Sequence, residues 1–192
     1  MKPLSLTLKN FGPYINETID FTKFEDSSLF LISGKTGSGK TTIFDGMSYA
    51  LFGESSGKLR LGKEMRSTFA DPSEATEVTL LFKHNEYLYE LNRLPEQELF
   101  KKRGTGVRKQ SAKISLIVKD AQGKELRAYS KRREVDELIQ ELLHLNANQF
   151  AQIVLLPQGE FRTFLIAKSD EKEKVCLLYT SDAADDTPCV GL

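Results

Sequence analysis

Tryptophan is absent from this 192-residue sequence, and cysteine occurs only twice, at Cys176 and Cys189, both within the last 17 residues. That placement excludes a disulfide framework for the body of the chain, and no Cys/His spacing offers a structural zinc site. Histidine is also scarce: His84 at an expected turn and His144 at an expected helix end read as ordinary boundary residues. No apolar run approaches the roughly 18 residues of a membrane span, and the N-terminus lacks the charged-then-apolar plan of a secretory signal. A cytoplasmic chain with no membrane association is the expectation. An excess of one charge is missing too, since 27 Lys and Arg balance 27 Asp and Glu. What is present, 40% apolar and 28% charged residues, suffices for a packed core and argues against a disordered or fibrous chain.

Within that ordinary composition, Gly34-Lys35-Thr36-Gly37-Ser38-Gly39-Lys40-Thr41 is a complete G-x-x-x-x-G-K-[ST] phosphate-binding loop. Its context is right. Leu29-Phe30-Leu31-Ile32-Ser33 reads as a short buried strand, and Thr41 to Phe52 carries apolar residues at helical spacing. Glycines let backbone N–H groups turn inward around a phosphate at the positive end of the following helix. In this pattern Lys40 reaches the β- and γ-phosphate oxygens, the Thr41 hydroxyl ligates Mg²⁺, and Thr42 bonds an α-phosphate oxygen.

The neutral total conceals a local imbalance. Leu99 to Lys119 holds Lys101, Lys102, Arg103, Arg108, Lys109, Lys113 and Lys119 with no acidic residue. Hairpin signals bracket this run: Glu77 to Phe82 alternates, His84-Asn85-Glu86 turns, and Tyr87 to Arg93 returns; Ala112 to Lys119 and the turn Asp120-Ala121-Gln122-Gly123 predict another. A basic ribbon of this kind lies along a nucleic-acid backbone, or it is a solvated edge whose charge discourages strand-to-strand aggregation. The charges alone leave both readings open. Further on, Tyr129 to Leu145 predicts a helix with Val135, Leu138, Ile139, Leu142 and Leu143 on its core face and Ser130 as N-cap. Asn146 and Gln149 form a capping pair for a second helix through Val154, which Leu155-Leu156-Pro157-Gln158-Gly159-Glu160 then breaks.

Three stretches taken together resemble a known family. Leu4-Ser5-Leu6-Thr7-Leu8-Lys9-Asn10-Phe11-Gly12-Pro13-Tyr14, the run from Thr36 to Met47, and Leu155-Leu156-Pro157-Gln158-Gly159-Glu160-Phe161 are similar to the N-terminal half of SbcC-type ATPases, nuclease-associated DNA repair subunits of the SMC-like class. The resemblance spans about Met1 to Lys174. It implies an α/β P-loop NTPase fold, the N-terminal lobe of an ABC/SMC-like head, with a β-rich insertion at about 74–128. It implies ATP and Mg²⁺ as cofactors, with Gln158 as the Q-loop glutamine that helps hold Mg²⁺ and senses the γ-phosphate. Lys9 and Asn10 match the end of the first strand, where such heads approach the base and phosphates, although related heads often have Arg where Gly12 stands. The resemblance also turns Lys101, Lys102, Arg103, Arg108, Lys109 and Lys113 toward DNA.

Hydrolysis needs a polarised water and a second charge-neutralising surface across the γ-phosphate. In the family both come from the C-terminal half, as a signature serine loop and a strand-borne Asp-Glu pair. No Leu-Ser-Gly-Gly occurs here, and no apolar run ending in Asp-Glu lies downstream of Gln158. The implied partners are therefore the protein's own C-terminal half, a second copy in a homodimer of heads, an SbcD-type nuclease and double-stranded DNA. Hydrolysis is expected of the full-length ATPase rather than of this chain alone. After Ser169 to Lys174, a charged helix start, residues 175–192 have no Lys or Arg and no heptad pattern; they resemble translated adapter read-through and are expected to be a non-native tail. Two other classes share the loop. A transporter or RecN/RecF-like head is one, though the long separation of Lys40 from Gln158 argues against a transporter. A DNA-binding module with a non-hydrolytic nucleotide loop is the other.

Overall fold

Alternation builds the first strand. In β1 (Lys2–Phe11) Leu6 and Leu8 are fully buried and Ser5, Thr7 and Lys9 point to the wetter face. The chain turns at Gly12-Pro13 and returns as β2 (Tyr14–Asp20). The computed structural model describes residues 1–24, 32–55 and 62–150. Within them follow α1 (Lys40–Phe52), β3 (Glu77–His84), β4 (Tyr87–Leu94), β5 (Gln97–Phe100), β6 (Val107–Gln110), β7 (Lys113–Lys119), β8 (Glu125–Tyr129), α2 (Arg132–Leu143) and α3 (Ala147–Phe150).

Among the described residues six strands form one sheet in the order β2-β1-β3-β4-β7-β8, with every pairing antiparallel. The register aligns one apolar row across the sheet: Ile19, Leu6, Leu80, Leu91, Leu116 and Tyr129 are successive cross-strand partners. Their face carries the core, where α1 contributes Ile43, Met47, Ala50 and Leu51, and α2 contributes Val135 and Ile139. Phe82 and Tyr89 stack beside that row with centroids 5.1 Å apart. Packing of this row decides the register, because a slip of one residue would turn every one of these side chains to solvent.

The strands between 77 and 129 thus extend the sheet that β1 begins, while β5 and β6 stand apart as a two-stranded ribbon. Both predicted hairpins are present. Asn85 takes φ 52° at the β3–β4 turn, and Asp120 Oδ1 accepts the amides of Gln122 and Lys124 at 3.0 and 2.8 Å between β7 and β8.

The expected helix start at Tyr129 needs correction. Tyr129 is the last residue of β8, paired with Leu116, and the cap position belongs to Lys131 in extended conformation without a side-chain cap bond. Pairing of Tyr129 with Leu116 at the end of the apolar row keeps the chain extended past Ser130, and this outweighs the capping preference of serine. The pair Asn146 and Gln149 does cap α3 reciprocally, with N–H to side-chain oxygen distances of 2.9 and 3.0 Å. Most of the strand expected before the phosphate loop, Gln158 and the suspected tail lie outside the described residues.

Candidate functional site

The loop before α1 is shaped by backbone that only glycine adopts easily. Gly37 and Gly39 have φ of 84° and 90°, and Gly39 is the N-cap of α1. Ser38 N–H donates to the Lys35 carbonyl at 3.1 Å, closing the turn. Lys40, the first residue of the helix, folds back so that Nζ donates to the carbonyls of Gly34 and Lys35, each at 2.8 Å. These acceptors are neutral dipoles, and no carboxylate pairs with Lys40 among the described residues. Its positive charge is held over the loop without being neutralised. Lys35, Thr36, Ser38 and Thr41 are exposed around it.

This loop lines one side of a cleft of about 730 Å³, where Gly34, Thr36, Gly37, Gly39, Lys40, Thr41 and Thr42 meet Gly12, Pro13, Glu64, Arg66, Thr68 and Phe69. The opposite wall is fastened to the end of β1. Gly12 N–H donates to the Met65 carbonyl at 2.7 Å, and Ser67 N–H to the Asn10 carbonyl at 2.8 Å. Arg66 then ties the loop that follows, donating to the carbonyls of Glu74 and Asp71 at 2.6 and 2.7 Å. Phe69 is left 77% exposed beside the cleft. Asp71 accepts the Ser73 amide and hydroxyl, which holds its carboxyl below the usual range, and Lys102 does the same to Glu74.

Lys9 and Asn10 are not brought to the cleft. Asn10 is buried at φ 51°, with its side-chain amide donating to the Ala75 carbonyl at 2.8 Å and its carbonyl accepting the Thr76 hydroxyl at 3.1 Å. Lys9 lies 3.9 Å from Glu74. Both positions shape the wall that Arg66 braces. Arg66 and Phe69 carry no periodicity, no motif and no charge run, so nothing in the sequence marked them.

The basic run from Lys101 to Lys109 lies in the ribbon β5–β6, with Phe100 opposite Val107 and the turn between them carrying Lys101, Lys102 and Arg103, while Lys113 and Lys119 belong to β7. Three of these cations are paired: Lys102 with Glu74 at 2.6 Å, Lys109 with Glu96 at 2.9 Å, the latter pair raising the Lys109 pKa, and Lys119 with Glu90. Lys101, Arg103, Arg108 and Lys113 are exposed and have no ion-pair partner among the described residues.

With the loop geometry in view, the comparisons with known proteins are specific. The family profile described as AAA domain matches residues 5–184. The chain belongs to the AAA domain family. In this AAA domain the antiparallel sheet, the helices packed on it and the loop opening α1 form the N-terminal lobe of a P-loop NTPase. The SbcC component of the SbcCD nuclease of Lactococcus lactis subsp. lactis is 46% identical over 179 residues, covering 91% of this chain and 17% of that protein. Its counterpart in Vibrio cholerae is 44% identical over 176 residues, again covering 91% of this chain and 17% of the relative. The AAA domain thus spans 17% of the length of these relatives. A solved chain from "Structural biochemistry of ATP-driven dimerization and DNA stimulated activation of SMC ATPases" aligns over 93% of this chain and 99% of its own, at 19% identity and a TM-score of 0.47.

Proposed function

We propose that this AAA domain is the nucleotide-binding part of an SMC-like ATPase that works with an SbcD-type nuclease on double-stranded DNA ends. The observation that carries this reading is the Lys40 ammonium, held by two neutral carbonyls above a glycine loop at the start of α1. A cation so placed gains most when an oxyanion replaces the carbonyls, because a full negative charge attracts the ammonium more strongly than neutral carbonyl dipoles do. The identity to SbcC components of SbcCD nucleases supports the choice of machine.

In this reading ATP enters the cleft with its phosphates against Gly34, Lys35, Thr36, Gly37, Ser38 and Gly39. Lys40 holds the β- and γ-phosphate oxygens and Thr42 an α-phosphate oxygen. Mg²⁺ fits the exposed Thr41 hydroxyl, a neutral hard oxygen donor beside the phosphate cradle, with Gln158 as the second protein ligand. When bound, the ion neutralises charge developing on the phosphates. Lys9 and Asn10 act at one remove, by fixing the wall opposite the loop. Closure of the site on the γ-phosphate comes from the C-terminal half and a second head, so that ATP joins two heads over DNA and hydrolysis releases them. The ribbon bearing Lys101, Arg103 and Arg108 meets the DNA backbone. Among the described residues no helix is long and apolar enough to cross a membrane, and the reading places the protein in the cytoplasm with the DNA.

Calorimetric titration of the chain with Mg–ATP tests this directly. Binding that Lys40→Ala abolishes supports the assignment. DNA binding without any nucleotide affinity would favour a DNA-binding module with a vestigial loop.

A further inference from the structure

The turn between β1 and β2 is joined to the phosphate loop more closely than a hairpin turn requires. Tyr14 Oη donates to the Gly39 carbonyl at 3.1 Å, and the same carbonyl accepts the Ile43 amide at 3.3 Å. The first hydrogen bond of α1 is therefore long, and the phenol supplies the second anchor at its N-cap. A Cβ on Gly39 would lie 2.6 Å from Pro13 Cγ and 3.0 Å from Tyr14 Oη, so ring and loop backbone are in direct contact. On the other side, a Cβ on Gly12 would lie 2.5 Å from Thr42 Cγ2. Residues 12–14 thus touch the phosphate loop at positions 39 and 42.

Peptide planarity gives the phenol contact a consequence. The Gly39 carbonyl and the Lys40 N–H belong to one trans peptide unit and point in opposite directions. Tyr14 is not among the residues lining the cleft, whereas Gly39 and Lys40 are. Holding the carbonyl toward Tyr14 and the Ile43 amide turns the Lys40 N–H the opposite way, outward from the start of α1. We infer that Tyr14 is a positioning residue whose hydroxyl fixes the Gly39–Lys40 peptide plane so that the Lys40 N–H meets the β-phosphate of a nucleoside di- or triphosphate. This rests on the nucleotide-binding reading above. Burial and the neighbouring Glu17 raise the Tyr14 pKa above an ordinary value of 10.0 that already leaves the phenol protonated at neutral pH.

Tyr14→Phe retains the ring and removes only the donor. In the 192-residue chain, calorimetry should show ADP and ATP binding weakened alike, by roughly 3- to 10-fold, the worth of one hydrogen bond. The denaturation midpoint without nucleotide should change little. In the unaltered chain, ¹H–¹⁵N spectra should show the Lys40 amide shifting when ADP binds, and the shift should shrink in Tyr14→Phe. Unaltered affinity in Tyr14→Phe, or a Lys40 amide that ADP leaves unmoved in the unaltered chain, overturns the inference while nucleotide binding stands. Absence of ADP and ATP binding by the unaltered chain overturns both.

Discussion

Arg93, in β4, donates from Nε to the Ala50 carbonyl at 2.9 Å, joining the sheet to the last turn of the helix that begins at Lys40. Nη2 reaches the Leu51 carbonyl at 3.2 Å and Asp136 Oδ1 at 3.0 Å, so one guanidinium holds the end of α1 and the side of α2. Helices leave their last carbonyls without internal partners, and this buried fork supplies two donors where water has little access. Burial pulls the Arg93 pKa down and the Asp136 hydrogen bond opposes it. Arg93→Met leaves the two carbonyls without their guanidinium donors and leaves Asp136 only its exposed pair with Arg132. It should cost about 2–4 kcal/mol of unfolding free energy in urea titration. A loss under about 0.5 kcal/mol would mean the guanidinium is not what holds α1 and α2 together.

Lys40→Ala should remove detectable ATP binding and leave the fold intact. The side chain meets only loop carbonyls and makes no ion pair among the described residues. Calorimetry alongside far-ultraviolet circular dichroism checks both halves; retained affinity would take Lys40 out of the site.

Gly39→Ala should be damaging on two counts. At φ 90° a Cβ is strained, at a cost of about 1–3 kcal/mol, and it would also lie 2.6 Å from Pro13 Cγ. Both a lowered melting temperature and lost nucleotide affinity are expected. An unchanged melting curve would show that the turn yields readily.

The ribbon cations should not contribute equally to DNA binding. Lys102 and Lys109 are already paired with Glu74 and Glu96. Replacing Lys101, Arg103 and Arg108 by alanine should flatten the salt dependence of binding by roughly 0.9 in log–log slope per lost phosphate contact. Lys102→Ala should change it less. A slope that none of these changes alters would make the ribbon a solvated edge.

Asp71 offers a pH test of the cleft wall. Its folded pKa is lowered from 3.8 by the Ser73 amide and hydroxyl, so its stabilising contribution is present above 3.8 and is lost as pH falls through the lower folded value. The Ser73 amide resonance should titrate with a midpoint below 3.8. A midpoint at or above that value would show that the Asp71 turn does not form in solution.

Local signals were legible wherever the physics is local. Alternation in Glu77 to Phe82, the Asp120 turn, the Asn146 and Gln149 capping pair and the glycine pattern of the phosphate loop each depend on neighbours within a few residues. The Tyr129 boundary was misread because its determinant, Leu116 across the sheet, is not a sequence neighbour. Arg66 was unreadable for the same reason: its acceptors at Asp71, Glu74 and Gln97 come together only when the loop closes on the sheet.

The sequence by itself determined that a glycine-rich loop ending in a lysine precedes a helix, since glycine spacing and helical periodicity are properties of a short segment. Tertiary structure alone decided what surrounds that loop. Gly12, Pro13 and Tyr14 reach it because β1 and β2 pair, Asn10 turns inward to brace the opposite wall, and Arg93 crosses from the sheet to close α1. Those contacts join residues 25, 65 and 43 positions apart. They are set by strand pairing and by the packing of one sheet face against α1 and α2, which no local pattern encodes.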